Sequence, residues 1–154
     1  MNSKFVEPFL QALPNVFGTM IGIEIRPEKQ APKMNNLSLG VVSGLIAMTS
    51  DSANGSFSIS LETSMALACV ERLFGERPET VNDEVIDMVG ELTNMIAGVA
   101  KQLFESRGYD FGMARPHMMS GDSHQLEHLA SSSVILIPFN SDFGKLFLEI
   151  CIDY

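Results

Sequence analysis

Hydrophobic residues recur at helical spacing through the stretch from Asn82 to Gly108. Separations of four and three residues place them on one face of an α-helix. They are Val85, Val89, Leu92, Ile96, Val99 and Leu103. A second series steps in the same way about 200° further round the helix, and it comprises Asp87, Glu91, Asn94, Gly98 and Gln102. The pattern therefore predicts a long helix that buries one side and presents acids, carboxamides and a glycine on the other.

Shorter alternating or β-branched segments predict strands on both sides of this helix. Before it they cover 21–26, 37–49 and 56–61, and after it they cover 111–114, 133–139 and 145–152. Residues 56–61 alternate phenylalanine, isoleucine and leucine with serines, so we expect one face of that strand to be buried and the other to be wet. The polar segments 30–36 and 120–130 are predicted to be a turn and a loop.

Two further helices are predicted over 3–20 and 62–74, and Pro14 should kink or interrupt the first of them. The order is then a helix, three strands and a short helix, followed by the long helix and three strands. This order suggests a duplicated unit of one helix and three strands.

An alignment of the first helix with the long one gives that suggestion partial support. A shift of 79 positions lays Val6 on Val85, Leu10 on Val89, Leu13 on Leu92, Phe17 on Ile96 and Asn15 on Asn94. It also lays Ala12 on Glu91. Any two amphipathic helices can match at their apolar positions, so duplication and coincidence stay equally supported by this pattern alone.

Composition indicates a single globular domain, 1–154, with a substantial core: 45% of the residues are hydrophobic and 19% are charged. The formal net charge of −9 argues against nucleic acid as a partner, because phosphate binding needs clustered Lys and Arg. An acidic surface instead favours a partner that presents a basic group.

The chain has no apolar window long enough to span a bilayer and no signal-peptide pattern at its start. We therefore expect a cytoplasmic protein without membrane insertion. Cys69 and Cys151 belong to no CxxC motif, so buried, reduced thiols are expected at both positions.

The pair Glu91-x-x-Asn94 is common by itself, and in isolation it indicates only two solvated residues on the outside of a helix. Its surroundings favour more. Gly90 and Gly98 lie in the helix interior, where each glycine costs about 1 kcal/mol relative to alanine. Gly98 follows Asn94 by one turn, and a bare backbone there lets another surface come close. We interpret this face as a docking surface.

The run Asp87-x-x-Gly90-Glu91-x-x-Asn94-x-x-x-Gly98-x-x-Lys101 resembles the signature helix of the CheC/CheX/FliY phosphatases of bacterial chemotaxis. That signature has Asp or Ser, three residues, Glu, two residues, Asn, and a later proline. The resemblance covers nearly the whole chain, including the opening FVEPFLQALPNVFGTMIGIEI. Pro116 falls one position earlier than the family's proline, which a difference in loop length would explain.

The resemblance implies an α/β (α+β) fold of the CheC-like type. In it, two pseudo-repeated helix-plus-three-strand units share a mainly antiparallel β-sheet that is packed by the long signature helix. CheC-like members carry two signatures, whereas the first helix here reads Ala12-Leu13-Pro14-Asn15 without the acid. The single signature and the length favour a CheX-like member, and the family implies a homodimer in which sheets meet across the subunit boundary.

The resemblance also implies a function: hydrolysis of the aspartyl phosphate of a CheY-type response regulator. Glu91 and Asn94 would be the catalytic residues, with Asn94 orienting the attacking water and Glu91 pairing with the regulator's lysine. Asp87 and Gly98 would contact the partner, although helix capping or local charge would equally account for Asp87. No cofactor of its own is expected, since Mg²⁺ belongs to the partner's receiver domain.

Two other classes of function stay open. One is a non-catalytic CheX-like adaptor that binds a receiver domain or a flagellar-motor component, for which the retained carboxamide would be unnecessary. The other is a metal or small-molecule site in the polar loop that holds His117, Asp122, His124, Glu127 and His128. An ordinary polar surface loop is the simpler interpretation, because the sequence defines no second shell for a metal. Lys101 similarly either contacts the partner or neutralises Glu105.

Overall fold

An antiparallel β-sheet forms the body of the protein, in a computed structural model that describes residues 3–130 and 132–153. The helical elements are α1 (Ser3–Val16), a π-helical turn (Phe17–Ile21), α2 (Thr63–Phe74) and α3 (Asp83–Ser106). The strands are β1 (Arg26–Pro27), β2 (Ala31–Lys33), β3 (Val42–Thr49), β4 (Asn54–Leu61), β5 (Gly112–Met113), β6 (His117–Ser120), β7 (Val134–Asn140) and β8 (Leu146–Asp153).

The order of the strands is symmetric about the centre of the sheet. It runs β1-β7-β8-β4-β3-β5. Strands β1 and β2 pair with different parts of β7, and strands β5 and β6 pair with different parts of β3. The hairpins β3–β4 and β7–β8 therefore lie side by side, and each half of the chain gives its short strands to the hairpin of the other half. The predicted CheC-like fold class is confirmed: two similar halves share one mainly antiparallel sheet, with four strands in each half where three were predicted.

Helices α1 and α3 pack antiparallel to each other on one face of this sheet. Phe9 of α1 lies between Phe57 of the sheet and Phe104 of α3, with ring centroids 4.7 and 5.7 Å away. On α3 the buried stripe begins as predicted, with Val85, Val89, Leu92 and Ile96. It then moves to Ala97, Ala100 and Phe104, while Val99 and Leu103 are only half-buried. The face that α3 buries over its last two turns is therefore rotated by about 100°, the angle of one residue, from the predicted face.

The first helix continues through Pro14, where a kink or interruption was predicted, and widens into the π-helical turn after Val16. Gly22 ends this turn with a φ of 75°, a left-handed conformation that favours glycine. The predicted strand 21–26 is wrong apart from its last residue. Ile21, Ile23 and Ile25 are buried in alternation, but ladder pairing begins only at Arg26, which pairs with Asn140.

The expectation of a wet face on residues 56–61 is wrong. Ser56, Ser58 and Ser60 are all buried, as is Ser43 on the neighbouring strand. They point away from α1 and α3, toward residues 121–130, which we call the histidine loop. That loop lies over the serines, where His128 bonds Ser56 and His124 bonds Ser43. Ser58 Oγ is buried without a hydrogen-bond partner among the described residues. The polar face of this strand is therefore buried by a loop of the same chain that lies more than sixty residues away in the sequence.

Two further segments differ from the prediction. The polar segment 30–36 contains strand β2, whose Lys33 forms a buried salt bridge with Glu149. The strand predicted over 111–114 is only two residues long, β5, and a separate strand, β6, follows it. Pro116 lies between the two and lacks the N–H that a continuous ladder would need. Among the described residues, no helix is both long and apolar enough to cross a bilayer.

Candidate functional site

The candidate site lies on α3, which begins with a side-chain cap. The Oδ1 of Asn82 accepts a hydrogen bond of 3.0 Å from the backbone N–H of Val85, satisfying one donor of the first turn. Asp83 and Glu84 follow in that turn, where negative charge suits the positive end of the helix dipole. The helix is 24 residues long, and its N-terminus is stabilised by the cap and by these charges.

The predicted polar series is exposed along its whole length. Its members Asp87, Glu91, Asn94, Gly98 and Gln102 all face solvent. Within residues 3–130 and 132–153, the side chains of Glu91 and Asn94 make no hydrogen bond or ion pair. They are neighbours on the helix surface at i and i+3, with Cβ atoms about 5–6 Å apart. A carboxylate and a carboxamide are thus held side by side with their bonding capacity unused.

The backbone beneath this pair is seated closely on the sheet. Thr93, which lies between Glu91 and Asn94 in the sequence, is buried against the sheet. Its Oγ1 donates to the carbonyl of Val89 at 2.6 Å. Thr93 packs over Gly44 of β3, where an added Cβ would lie 3.0 Å from the threonine's Cβ and Cγ2. Gly90 is also buried, with Met118 Sδ 3.5 Å from where its Cβ would be. Gly90 therefore faces β6, which corrects the interpretation that it flattens the outer face.

Gly98 does lie on the outer face. An added Cβ there would meet nothing within 4 Å, and the backbone borders an open groove of about 350 Å³ between α3 and the end of α1. Asn15, Thr19 and Met20 form the α1 side of this groove. Sequence reasoning missed these three as site residues, although the 79-position shift could have found them, since it matches Asn15 to Asn94.

Lys101 is occupied within the chain. Its Nζ lies 3.3 Å from Glu105 and 3.4 Å from Asp110, and it donates a short hydrogen bond to the carbonyl of Phe111. The pKa of Lys101 is raised, first by its hydrogen bond to Glu105. The neutralising role is therefore the one observed, and Lys101 ties the end of α3 to the segment before β5.

The histidine loop is largely exposed, as expected of a polar surface loop, but it turns His124 and His128 inward onto the sheet. His124 Nε2 lies 2.6 Å from Ser43 Oγ. His128 bonds Ser56 Oγ through Nδ1 at 2.7 Å and Glu149 through Nε2 at 3.1 Å. His117 lies apart on β6, paired with Leu45. Among the described residues, no three His, Cys, Asp or Glu side chains are grouped so that they could hold a metal.

The cysteines are free and buried, as expected for reduced thiols. Burial raises the pKa of Cys69 to about 12, and burial is also the main cause that raises the pKa of Cys151. Nucleophilic chemistry needs the thiolate, so neither residue suits that role. On the outer face of α3, by contrast, Glu91 and Asn94 are exposed and make no hydrogen bond or ion pair with the described residues.

A family model and several solved structures are similar to this chain. The family model described as "Chemotaxis phosphatase CheX" matches residues 42–140. The comparison with curated protein sequences gave no significant match. Among solved structures, a CheC-like superfamily protein from Shewanella sp. PV-4 is 43% identical, with a TM-score of 0.93 and 100% of both chains covered.

Two further solved structures are similar over almost the whole chain. The chemotaxis protein CheX from Vibrio vulnificus is 44% identical, with a TM-score of 0.89 and coverage of 97% of this chain and 99% of that one. A CheX from Borrelia burgdorferi, solved as a CheX-CheY-BeF₃-Mg²⁺ complex, is 25% identical, with a TM-score of 0.79 and coverage of 97% and 98%.

Proposed function

The chain belongs to the CheX family of chemotaxis phosphatases, and we propose that it hydrolyses the aspartyl phosphate of a CheY-type response regulator. The observation that carries the proposal is the exposed pair Glu91 and Asn94, whose side chains make no bond to the described residues, on a helix packed closely against the sheet. The CheX of Borrelia burgdorferi forms a complex with CheY, and we extend that class of partner to this chain.

In this proposal the active site is composite. The receiver supplies the phosphorylated aspartate and holds Mg²⁺, and this chain contributes the outer face of α3. Phosphoryl transfer passes through a loose transition state in which positioning and electrostatics carry most of the catalytic effect. Two correctly placed side chains are therefore a sufficient contribution from this chain.

Asn94 positions the attacking water. Its carboxamide oxygen accepts a hydrogen bond from the attacking water, and its NH₂ donates to a phosphoryl oxygen, so the water is held in line with phosphorus. A carboxamide does this without adding negative charge beside the phosphoryl group. A carboxylate acting there as a direct base would be repelled by that group, which favours Asn94 over Glu91 for the water.

Glu91 acts on the partner's lysine. Its carboxylate, exposed and without a partner among the described residues, accepts a charge-assisted hydrogen bond from that ammonium group. This ion pair between Glu91 and the partner's lysine orients α3 on the receiver and withdraws the cation from the phosphoryl oxygens. Asp87 lies one turn before Glu91 on the same face and contributes to the contact at its rim.

The proposal includes a cytoplasmic homodimer. The family resemblance is its support, and analytical ultracentrifugation of the full chain at several concentrations tests the oligomeric state. A monomer at all concentrations would contradict this part of the proposal and leave the phosphatase activity to be judged separately.

The decisive experiment follows the loss of acyl phosphate from a panel of phosphorylated receiver domains, with and without the protein. We expect acceleration of at least one receiver by the wild-type chain and none by Asn94→Ala. Binding is measured in parallel with the same receivers carrying beryllofluoride, a phosphoryl mimic. Binding without acceleration of any receiver would contradict the phosphatase and indicate the adaptor.

A further inference from the structure

The groove between α1 and α3 is formed by corresponding residues of the two halves of the chain. Its walls contain three pairs related by the 79-position shift: Val16 and Met95, Thr19 and Gly98, Met20 and Val99. The local pseudo-twofold axis therefore passes through the groove. The groove opens one helical turn beyond Asn94, on the same side of α3 as Glu91.

The chemistry of the groove differs from that of the rest of the outer face. All the residues that line it are uncharged, although the chain as a whole carries a net charge of −9. Met20 is 46% exposed, and methionine adapts its shape to an apolar group placed against it. Beside it, Gly98 adds no side chain that would block the opening.

We propose that this groove is a second contact for the receiver and holds one apolar side chain of the receiver's surface. The proposal rests on the proposed function and extends it, because α1 then supplies part of the docking surface. A volume of about 350 Å³ accommodates one or two side chains, whereas it is too small for a helix. The acidic part of the face meets the lysine, and the neutral part meets the apolar group.

The geometry sets the spacing required of the receiver. Gly98 lies seven residues beyond Glu91, about 10 Å along the helix axis at 1.5 Å per residue. Asn94 lies between the two. A matching receiver therefore presents a lysine on one side of its phosphoryl group and an exposed apolar side chain on the other, about 10 Å from the lysine.

The test uses a receiver that the wild-type protein dephosphorylates, together with two groove variants. Met20→Ser removes the apolar wall, and Gly98→Leu fills the groove. We expect each to weaken binding of the beryllofluoride-loaded receiver by about fivefold or more, and to raise KM similarly with kcat within about twofold. Met20→Leu should restore binding, because it keeps the apolar wall.

The control is Met34→Ser, which makes the same change at a methionine that is 91% exposed and lies outside the groove. Urea unfolding of each variant separates a folding defect from a binding defect. An unchanged KM for Met20→Ser would overturn the proposal even if Gly98→Leu binds poorly, because the receiver would then rest on α3 alone. If the wild-type chain neither binds nor dephosphorylates any receiver, the proposed function fails and the groove proposal fails with it.

Discussion

Thr93 of α3 lies directly over Gly44 of β3, and this contact sets how closely the helix approaches the sheet. The threonine is fully buried, and its Oγ1 bonds back to Val89. Even one methyl group on Gly44 would overlap it. Because Thr93 lies in the sequence between Glu91 and Asn94, the height of the candidate site above the sheet depends on the absence of a side chain at Gly44.

Gly44→Ala should therefore destabilise the protein. Overpacking a close contact of this kind costs about 1–3 kcal/mol, and we expect that loss in the free energy of unfolding by urea. Dephosphorylation should fall as well, because the helix is displaced. Thr93→Ala in the same chain removes the overlapping Oγ1 and Cγ2, so the double variant should recover part of the lost stability, with a measurable coupling between the two sites.

Gly98→Ala is the matched control for that change. It makes the same substitution where an added Cβ meets open space, so only the better helix propensity of alanine counts, and stability should rise by up to about 1 kcal/mol. Equal urea midpoints for Gly44→Ala and the wild type would show that α3 does not depend on the Gly44 contact.

Asn94→Ala should abolish most of the catalytic effect and leave recognition largely intact. Removing a positioned hydrogen-bonding group that acts on the reacting atoms lowers kcat by about 10²–10³. The Kd for the beryllofluoride-loaded receiver should change by less than about threefold, and circular dichroism should be unchanged because Asn94 is exposed. Asn94→Asp, which keeps the shape but adds a negative charge near the phosphoryl group, should bind more weakly than Asn94→Ala. A kcat close to the wild-type value in Asn94→Ala would contradict the assigned role.

Glu91→Gln should weaken binding and reduce its dependence on salt. The wild-type contact joins an exposed carboxylate to a cation, and added salt screens such a pair. We expect the wild-type Kd to rise between 50 and 300 mM NaCl, with a smaller rise for Glu91→Gln. Glu7→Gln removes the same charge from an exposed position on α1, and it should keep the wild-type salt dependence. An identical response in the two variants would mean that overall charge, rather than a pair at Glu91, attracts the receiver.

The outer face of α3 could be predicted from the sequence because every signal for it is local. The series from Asp87 to Gln102 follows helical spacing, and the exposure of each member depends only on which side of the helix meets the sheet. The depth of the helix could not be predicted in the same way. It depends on Gly44 and Gly90 meeting Thr93 and Met118, and these contacts join segments far apart in the chain.

The serines of β4 illustrate the same limit from the other side of the sheet. Alternation of Phe57 and Ile59 with serines correctly indicated a strand. The prediction that the serine face is exposed to solvent rested on the assumption that polar side chains are exposed. Ser56 is instead satisfied by His128, 72 residues away. Histidines four residues apart in a polar loop were the only local sign of this contact, and an ordinary solvated loop is the simpler interpretation of that sign.

The hydrogen bonds that hold the histidine loop belong to a buried network of polar side chains that includes Glu149 and Lys33. Glu149 is 1% exposed, and it bonds His128 through Oε1 and Lys33 through Oε2, at 3.1 and 2.8 Å. Lys33 comes from β2 and Glu149 from β8, so the chain joins an edge strand, the centre of the sheet and the loop above it. All of this lies on the face opposite α3.

Lys33→Met should therefore destabilise the protein strongly while it leaves the active site alone. Removing one partner of a buried pair leaves the other charge uncompensated, which typically costs about 3–5 kcal/mol. We expect this loss in urea unfolding, together with faster proteolysis within residues 121–130. The phosphatase kcat, measured well below the unfolding transition, should stay within about twofold of the wild type, because Glu149 pairs with Ser58 on the sheet face opposite α3.

Adding Glu149→Gln to Lys33→Met tests the cause of that loss. The amide is neutral, so no buried charge is left without a partner, and it can still bond His128. The double variant should regain about half or more of the stability lost in Lys33→Met, since neutral replacement of a buried ion pair is often tolerated. The opposite outcome is a double variant that is less stable than Lys33→Met, with the two losses in free energy of unfolding simply adding. Lys33 would then stabilise β2 through its packing alone, and other groups would compensate the charge of Glu149.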